Sequence, residues 1–153
     1  RKKLLKMGYL LTFDVLGTGR SGKSQCDIPT EKSEFGKVYK PRGDLLHSFW
    51  CHRESFYFQA KGGKTRIGDT DSGNEVDIDI SIDGRRIGAE IVVSGLVVEN
   101  ISRFISMGYF DEMLILCIDD KKKEAVEKSI SGLSDDIRKK VSIGLLKEYF
   151  LAL

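Results

Sequence analysis

The stretch NEVDIDISIDGRRIGAEIVVSG carries the residues most able to do chemistry. Val76, Ile78, Ile80 and Ile82 alternate with Asp77, Asp79, Ser81 and Asp83. That period of two predicts a half-buried strand. Asp83-Gly84 is a two-residue hairpin turn signal. The return strand alternates Ile87, Ala89, Ile91 and Val93 against Gly88, Glu90, Val92 and Ser94. With Asp83-Gly84 as the loop, Ile82 faces Arg85 and Asp77 falls directly opposite Glu90. Side chains paired in this way have Cβ atoms roughly 4.5–5.5 Å apart, and like charges so placed destabilise a sheet. The two carboxylates therefore call for a cation, a shared proton or a basic neighbour. Hard oxygen ligands at this separation suit magnesium or manganese.

A second pattern, Gly17 to Ser24, reads GTGRSGKS and matches G-x-x-x-x-G-K-[ST]. A phosphate-binding loop needs a buried strand before it and a helix opening at Lys23-Ser24, whose N–H groups and dipole hold the phosphates. LLTFDVL suits the strand. QCDIPTEKSEFG does not suit the helix, because Pro29 comes early and no apolar stripe of period 3.6 appears. MLILCIDD looks like the acidic strand of an NTPase, but so does any buried strand ending in aspartate. The flanks instead predict a helix ending at Gly8, a strand YLLTFDVL, a glycine-rich tip and a return strand KSQCDI. A short helix then enters at Pro29 or Thr30. Arg20 and Lys23 fall at the tip, as phosphate contacts or as solvated charges.

These groups must be positioned by the elements around them. GDLLHSFWCHRESFYF predicts a helix whose buried stripe is Leu46, Phe49, Trp50 and Phe56 or Tyr57. His47, Cys51 and Glu54 follow another face, and a zinc site from His47 and Cys51 would need further ligands that the sequence does not show. His52 and Arg53 on the same helix are candidate phosphate contacts, with surface or capping roles as the alternative for these polar residues. A strand is expected near 64–70, the hairpin at 75–94, a helix at 96–107 and a buried strand at 113–118. The second helix has an apolar face of Val97, Val98, Ile101, Phe104 and Ile105. Arg103 lies on another face, where it pairs with Glu99 at i,i+4 or serves as a free cation. KKKEAVEKSI predicts a surface helix, KVSIGLL an added edge strand, and KEYFLAL a terminal helix or docking segment. The glycine-rich, charged stretch 36–43 marks a linker. The expected fold is α/β, with domains at 1–36 and 37–153.

Composition narrows the function classes. The chain has 153 residues, 41% apolar and 31% charged, with a net charge of +2. That balance is not that of a polycationic nucleic-acid binder, so such contacts must come from local patches. The three cysteines, Cys26, Cys51 and Cys117, form no C-x-x-C pair. A disulfide framework is not expected and a reducing cytoplasm is. No apolar run approaches the ~18 residues of a membrane span. Opening on RKKLLKMGYL, the chain reads as a piece excised from a longer protein.

The Val76-Asp77 step and Glu90-Ile91-Val92, in the order helix, three strands, helix, strand, resemble the PD-(D/E)xK nuclease superfamily over residues 40–131. The resemblance implies a restriction-endonuclease-like αβββαβ core with a mixed sheet. It also implies that Asp77 and Glu90 bind magnesium or manganese, and that a helix residue such as His47 or Glu54 can approach the metal. The family's catalytic lysine corresponds to Val92, which cannot stabilise charge on phosphate. Arg103 is the candidate substitute. Residues 1–36, with their hairpin followed by TEK, resemble the wing half of a winged helix-turn-helix domain, whose recognition helix would lie mostly before residue 1. Such wings touch DNA phosphates or the minor groove through residues placed like Arg20 and Lys23. The combination is similar to domains of prokaryotic mobile-element and DNA-transfer proteins, in which an NTPase module shares the chain. The function implied is DNA binding by a nuclease-like, catalytically degenerate domain. The alternatives are an active metal-dependent endonuclease and a structural interaction domain.

Overall fold

A computed structural model describes residues 1–7, 10–16, 23–29, 45–68, 75–96 and 98–149. The chain divides into two compact units, Arg1–Leu46 and His47–Leu153. The expected boundary at 36/37 and its linker lie outside the described residues.

In the first unit, helix α1 (Lys2–Lys6) precedes strands β1 (Leu10–Leu16) and β2 (Lys23–Pro29). The strands pair antiparallel, from Leu10 with Pro29 to Leu16 with Lys23. The Arg1 guanidinium forks onto Asp27. Lys23 and Ser24 thus open a strand rather than a helix, and the helix N-terminus that a phosphate loop requires is not formed there. The hairpin expectation holds. Its tip, with Arg20, and the short helix expected after Pro29 lie outside the described residues.

The second unit is an α/β fold built on a five-stranded mixed sheet ordered β3-β4-β5-β6-β7. Its elements are α2 (Leu45–Ala60, of which Leu45 and Leu46 close the first unit), β3 (Lys64–Ile67), β4 (Ile78–Ile82), β5 (Arg85–Val92), α3 (Val98–Ser106), β6 (Glu112–Cys117), α4 (Asp120–Ile130), α5 (Asp135–Arg138) and β7 (Val141–Leu145). A 3-10 turn, Leu146–Tyr149, follows at the position expected for a terminal helix. Strands β3, β4 and β5 form an antiparallel meander. Strands β6 and β7 add in parallel, each through a helical crossover, because parallel neighbours cannot be joined by a tight turn. KVSIGLL is the edge strand expected.

The β4–β5 turn sets the register. Asp83 and Gly84 have φ of 51° and 73°, the pair of positive values that a type I′ turn demands. Ile82 then pairs with Arg85, Ile80 with Ile87 and Ile78 with Ala89.

Alternation gives the sheet two apolar faces. One carries Val92, Met113, Ile115 and Cys117, packed on Ile101, Phe104 and Ile105 of α3 and Val126 and Ile130 of α4. The opposite face carries Ile78, Ile80, Ala89, Ile91, Leu114 and Leu116, all buried. Helix α2 lies on this second face, where the Ser55 and Thr65 hydroxyls are 2.6 Å apart. Asp119, the residue in the NTPase-like acidic position, caps α4 by accepting from Lys122 N at 2.8 Å.

Helix α2 corrects the expected stripe. Trp50 is buried as expected, but Phe56 is 69% exposed. The buried side is Ser48, Cys51, Glu54, Ser55 and Phe58. The polar face, expected at the surface, is the one turned to the sheet. Side-chain apolarity alone gave the wrong rotation, because the helix turns His47 and Ser55 to polar partners on the sheet and buries Glu54 with none.

Candidate metal centre

The site forms where β4 leaves its ladder. The last β4–β5 pair is Ile78 with Ala89. Continued pairing would give the Ile91 N–H to the carbonyl of residue 76. Instead the Asp77 carboxylate takes it, with Oδ2 accepting from Ile91 N at 2.7 Å. On the other side of this junction, Gly68 N donates to the Asp77 carbonyl at 3.0 Å. A Cβ on Gly68 would stand 2.0 Å from the Val76 carbonyl oxygen, so only glycine permits this approach.

This exit modifies the sequence expectation. Asp77 and Glu90 do meet, but Asp77 lies beyond the ladder rather than in a regular cross-strand pair. Its side chain is 8% exposed and reaches His47 on α2, whose Nε2 lies 3.0 Å from Oδ2. Cys51, one helical turn on, places its Sγ 3.8 Å from His47 Nδ1 and 3.9 Å from Nε2. Ligand atoms of His47, Cys51 and Asp77 all lie within 4.8 Å of one another. A further ligand that sequence could not supply for a site at His47 and Cys51 has a candidate in Asp77, brought from the hairpin. The available signal was the i,i+4 spacing of His47 and Cys51; the missing knowledge was which way α2 faces.

The electrostatics are one-sided. Burial, then the Asp77 charge and a hydrogen bond with Asp77, raise the Glu90 carboxyl well above the usual carboxylate range. Burial also pushes the Cys51 thiol upward, reinforced by Asp77, Glu90 and Glu54. Glu54 is fully buried, and neither carboxylate oxygen has a hydrogen-bond partner. Burial pushes its pKa up to about 8, against a small opposing effect of Arg53. Such a cluster can hold protons on its acids or accept a cation in their place.

The donor set departs from the oxygen pair expected of a magnesium or manganese site, because an imidazole and a thiol join the carboxylate. The Arg103 guanidinium stacks over Phe104, 5.0 Å from the ring centroid. Val92 is buried in the apolar cluster with Ile101 and Ile115. His52 is exposed and Arg53 half-buried on α2. Lys23 is the first residue of β2, and Arg20 lies outside the described residues. Among the described residues, no helix is long and apolar enough to cross a membrane.

Comparison with known proteins identifies no relative: no family model, curated protein or solved structure matches the chain.

Proposed function

We propose that the chain is a DNA-binding domain of restriction-endonuclease-like architecture in which the metal-binding acids persist and hydrolysis has been lost. One observation carries this reading. The Asp77 and Glu90 carboxylates meet at the β4 exit, while Val92, at the position of the catalytic lysine, is 2% exposed inside the apolar cluster. A side chain committed to that core cannot stabilise a phosphoryl transition state, which needs a cation or donor aimed at the developing charge. The helix, antiparallel meander, helix and parallel strand order supports the same reading. The first unit, a helix followed by an antiparallel hairpin, suits a winged-helix remnant. DNA contacts then fall to Arg20 and Lys23 at the wing, and to His52 and Arg53 on α2. A mobile-element or DNA-transfer protein with an NTPase module elsewhere in its chain is the setting this implies.

The paired acids themselves favour a second reading, an active magnesium- or manganese-dependent endonuclease with Arg103 as the displaced cation. Incubation with labelled linear, forked and single-stranded DNA, with either metal, separates the two. The expected result is binding that weakens steeply with salt, as phosphate contacts release counterions, and no cleavage. Metal-dependent cleavage that disappears in Glu90→Ala would establish the endonuclease. Failure to bind any of the three DNAs would leave a structural interaction domain.

A further inference from the structure

The same junction supports an inference that stands apart from nucleic-acid binding. We propose that His47 Nε2, Cys51 Sγ and an Asp77 carboxylate oxygen together hold one divalent transition-metal ion of the zinc class.

Three features carry it. The first is the donor set. Thiolate and imidazole select zinc-like ions over magnesium, which prefers six oxygens in an octahedron. A nitrogen, a sulfur and an oxygen with a fourth position open is a three-ligand zinc arrangement. The second is spacing. Bond lengths of about 2.0–2.3 Å to a tetrahedral zinc put ligand atoms roughly 3.3–3.7 Å apart. The Nε2–Oδ2 separation of 3.0 Å and the Sγ–Nε2 separation of 3.9 Å bracket that span, and the third, from Sγ to the Asp77 carboxylate, is within 4.8 Å, so seating an ion draws the thiol and the carboxylate together. The third is Glu54. It follows Cys51 by three residues on the face of α2 turned to the sheet, fully buried and with both oxygens unpartnered. A buried carboxyl without a partner is penalised, and a +2 ion held one helical turn away at Cys51 would supply the opposite charge that Glu54 lacks.

The positions also divide the labour. Cys51 is 3% exposed and locked in the helix, whereas the His47 side chain is 22% exposed and marks the side from which an ion enters. The Ile91 N–H and the Glu90 carboxyl hold Asp77 in orientation, as outer partners do in metal sites. Binding converts the Cys51 thiol to a metal thiolate and releases its proton to solvent, so affinity rises with pH.

The test is titration of the metal-free full chain with Co2+, without DNA, followed in the near ultraviolet and visible. The expected result is one equivalent bound, with a thiolate-to-cobalt charge-transfer band, d–d bands of tetrahedral intensity, and displacement by Zn2+ but not by Mg2+. Cys51→Ser should abolish the charge-transfer band, while Cys26→Ala and Cys117→Ala keep it. His47→Ala should weaken Co2+ binding by at least about tenfold, with circular dichroism checking that each variant folds. Co2+ bound without a thiolate band, a band that survives Cys51→Ser, or no Co2+ binding by a folded chain would overturn the proposal. None of these outcomes depends on whether the chain binds DNA.

Discussion

Asp77 and Asp79 are neighbours in one alternating run, and the fold treats them in opposite ways. Asp79 is matched by cations. Its Oδ2 lies 2.7 Å from Arg86 Nη2 and 3.6 Å from Arg66 Nη2, and its Oδ1 accepts from Arg86 Nε at 3.2 Å. Both arginines are more than half exposed, so this is a surface ion-pair cluster of modest energetic weight. Asp77 meets a backbone N–H, an imidazole and a second carboxyl, next to a buried thiol. One aspartate is matched by arginines in place, while the other faces a carboxyl and a thiol, with no arginine or lysine against it among the described residues. The difference originates in the backbone. Asp79 is inside the ladder and presents its side chain where Arg86 and Arg66 arrive from β5 and β3. Asp77 is one step past the ladder's end, free to turn its carboxylate onto Ile91 N and toward α2.

The contrast should be most severely broken at Gly68. Gly68→Ala drives a methyl group to 2.0 Å from the Val76 carbonyl oxygen, so backbone must move, and it displaces the Gly68 N–H bond to Asp77. The expected cost is on the order of 3 kcal/mol, at the top of the range for overpacking with backbone shifts. Urea unfolding measures it, and Co2+ titration of the folded fraction should show weakened binding. A loss below about 1 kcal/mol would mean that the exit of β4 does not depend on this approach.

Glu54 sharpens the comparison from the side of α2. Its carboxyl holds a proton in the fold up to a pH of about 8, against an ordinary value of 4.5. The native state therefore binds more protons than the unfolded chain between those values. Stability from this group is intact below about pH 4.5, falls as pH rises, and levels off above about 8. The slope is about 1.4 kcal/mol per pH unit at its steepest. Glu54→Gln, measured by chemical denaturation in chelator at pH 5, 7 and 9, should flatten the profile by that amount. An unchanged slope would mean that Glu54 finds a cation or solvent on ionising.

Much of the architecture was legible because it rests on local signals. Asp83-Gly84 fixed the hairpin register, the alternation of Val76 to Ile82 marked β4, and Met113 to Cys117 read as a buried strand. The candidate site was legible only in halves. Asp77 with Glu90 came from register, and His47 with Cys51 came from helical spacing. Their union depends on which side of α2 meets the sheet, and here the aromatic residues misled. Phe56 is large, apolar and exposed, while Glu54 is charged and fully buried. A hydrophobic pattern presumes that apolar residues turn inward, and a helix that delivers polar groups to a junction violates the presumption where function would. The departure of Asp77 from the ladder was equally hidden. It depends on Gly68, which approaches from β3 and has no periodic relation to the hairpin.

The smallest expected effect tests the comparison most directly, because the two aspartates should answer the same substitution with opposite signs. Asp79→Asn removes the charge facing Arg86 and Arg66 and should cost about 0.5–1 kcal/mol, diminishing with salt. Asp77→Asn keeps an oxygen that can accept the Ile91 N–H, so the buried donor stays satisfied. It also removes the charge against which Glu90 holds its proton. At pH 7–8, in chelator, the variant should be as stable as the parent or more stable by roughly 1 kcal/mol, with a shallower loss of stability as pH rises. Its Co2+ affinity should fall, whereas Asp79→Asn leaves Co2+ binding unchanged. Paired denaturation curves and cobalt titrations of the two variants are sufficient. If Asp77→Asn destabilises the metal-free chain more than Asp79→Asn does, the buried carboxylate serves the fold first. If it stabilises the chain while losing the metal, the junction sacrifices stability to keep a charge available for an ion.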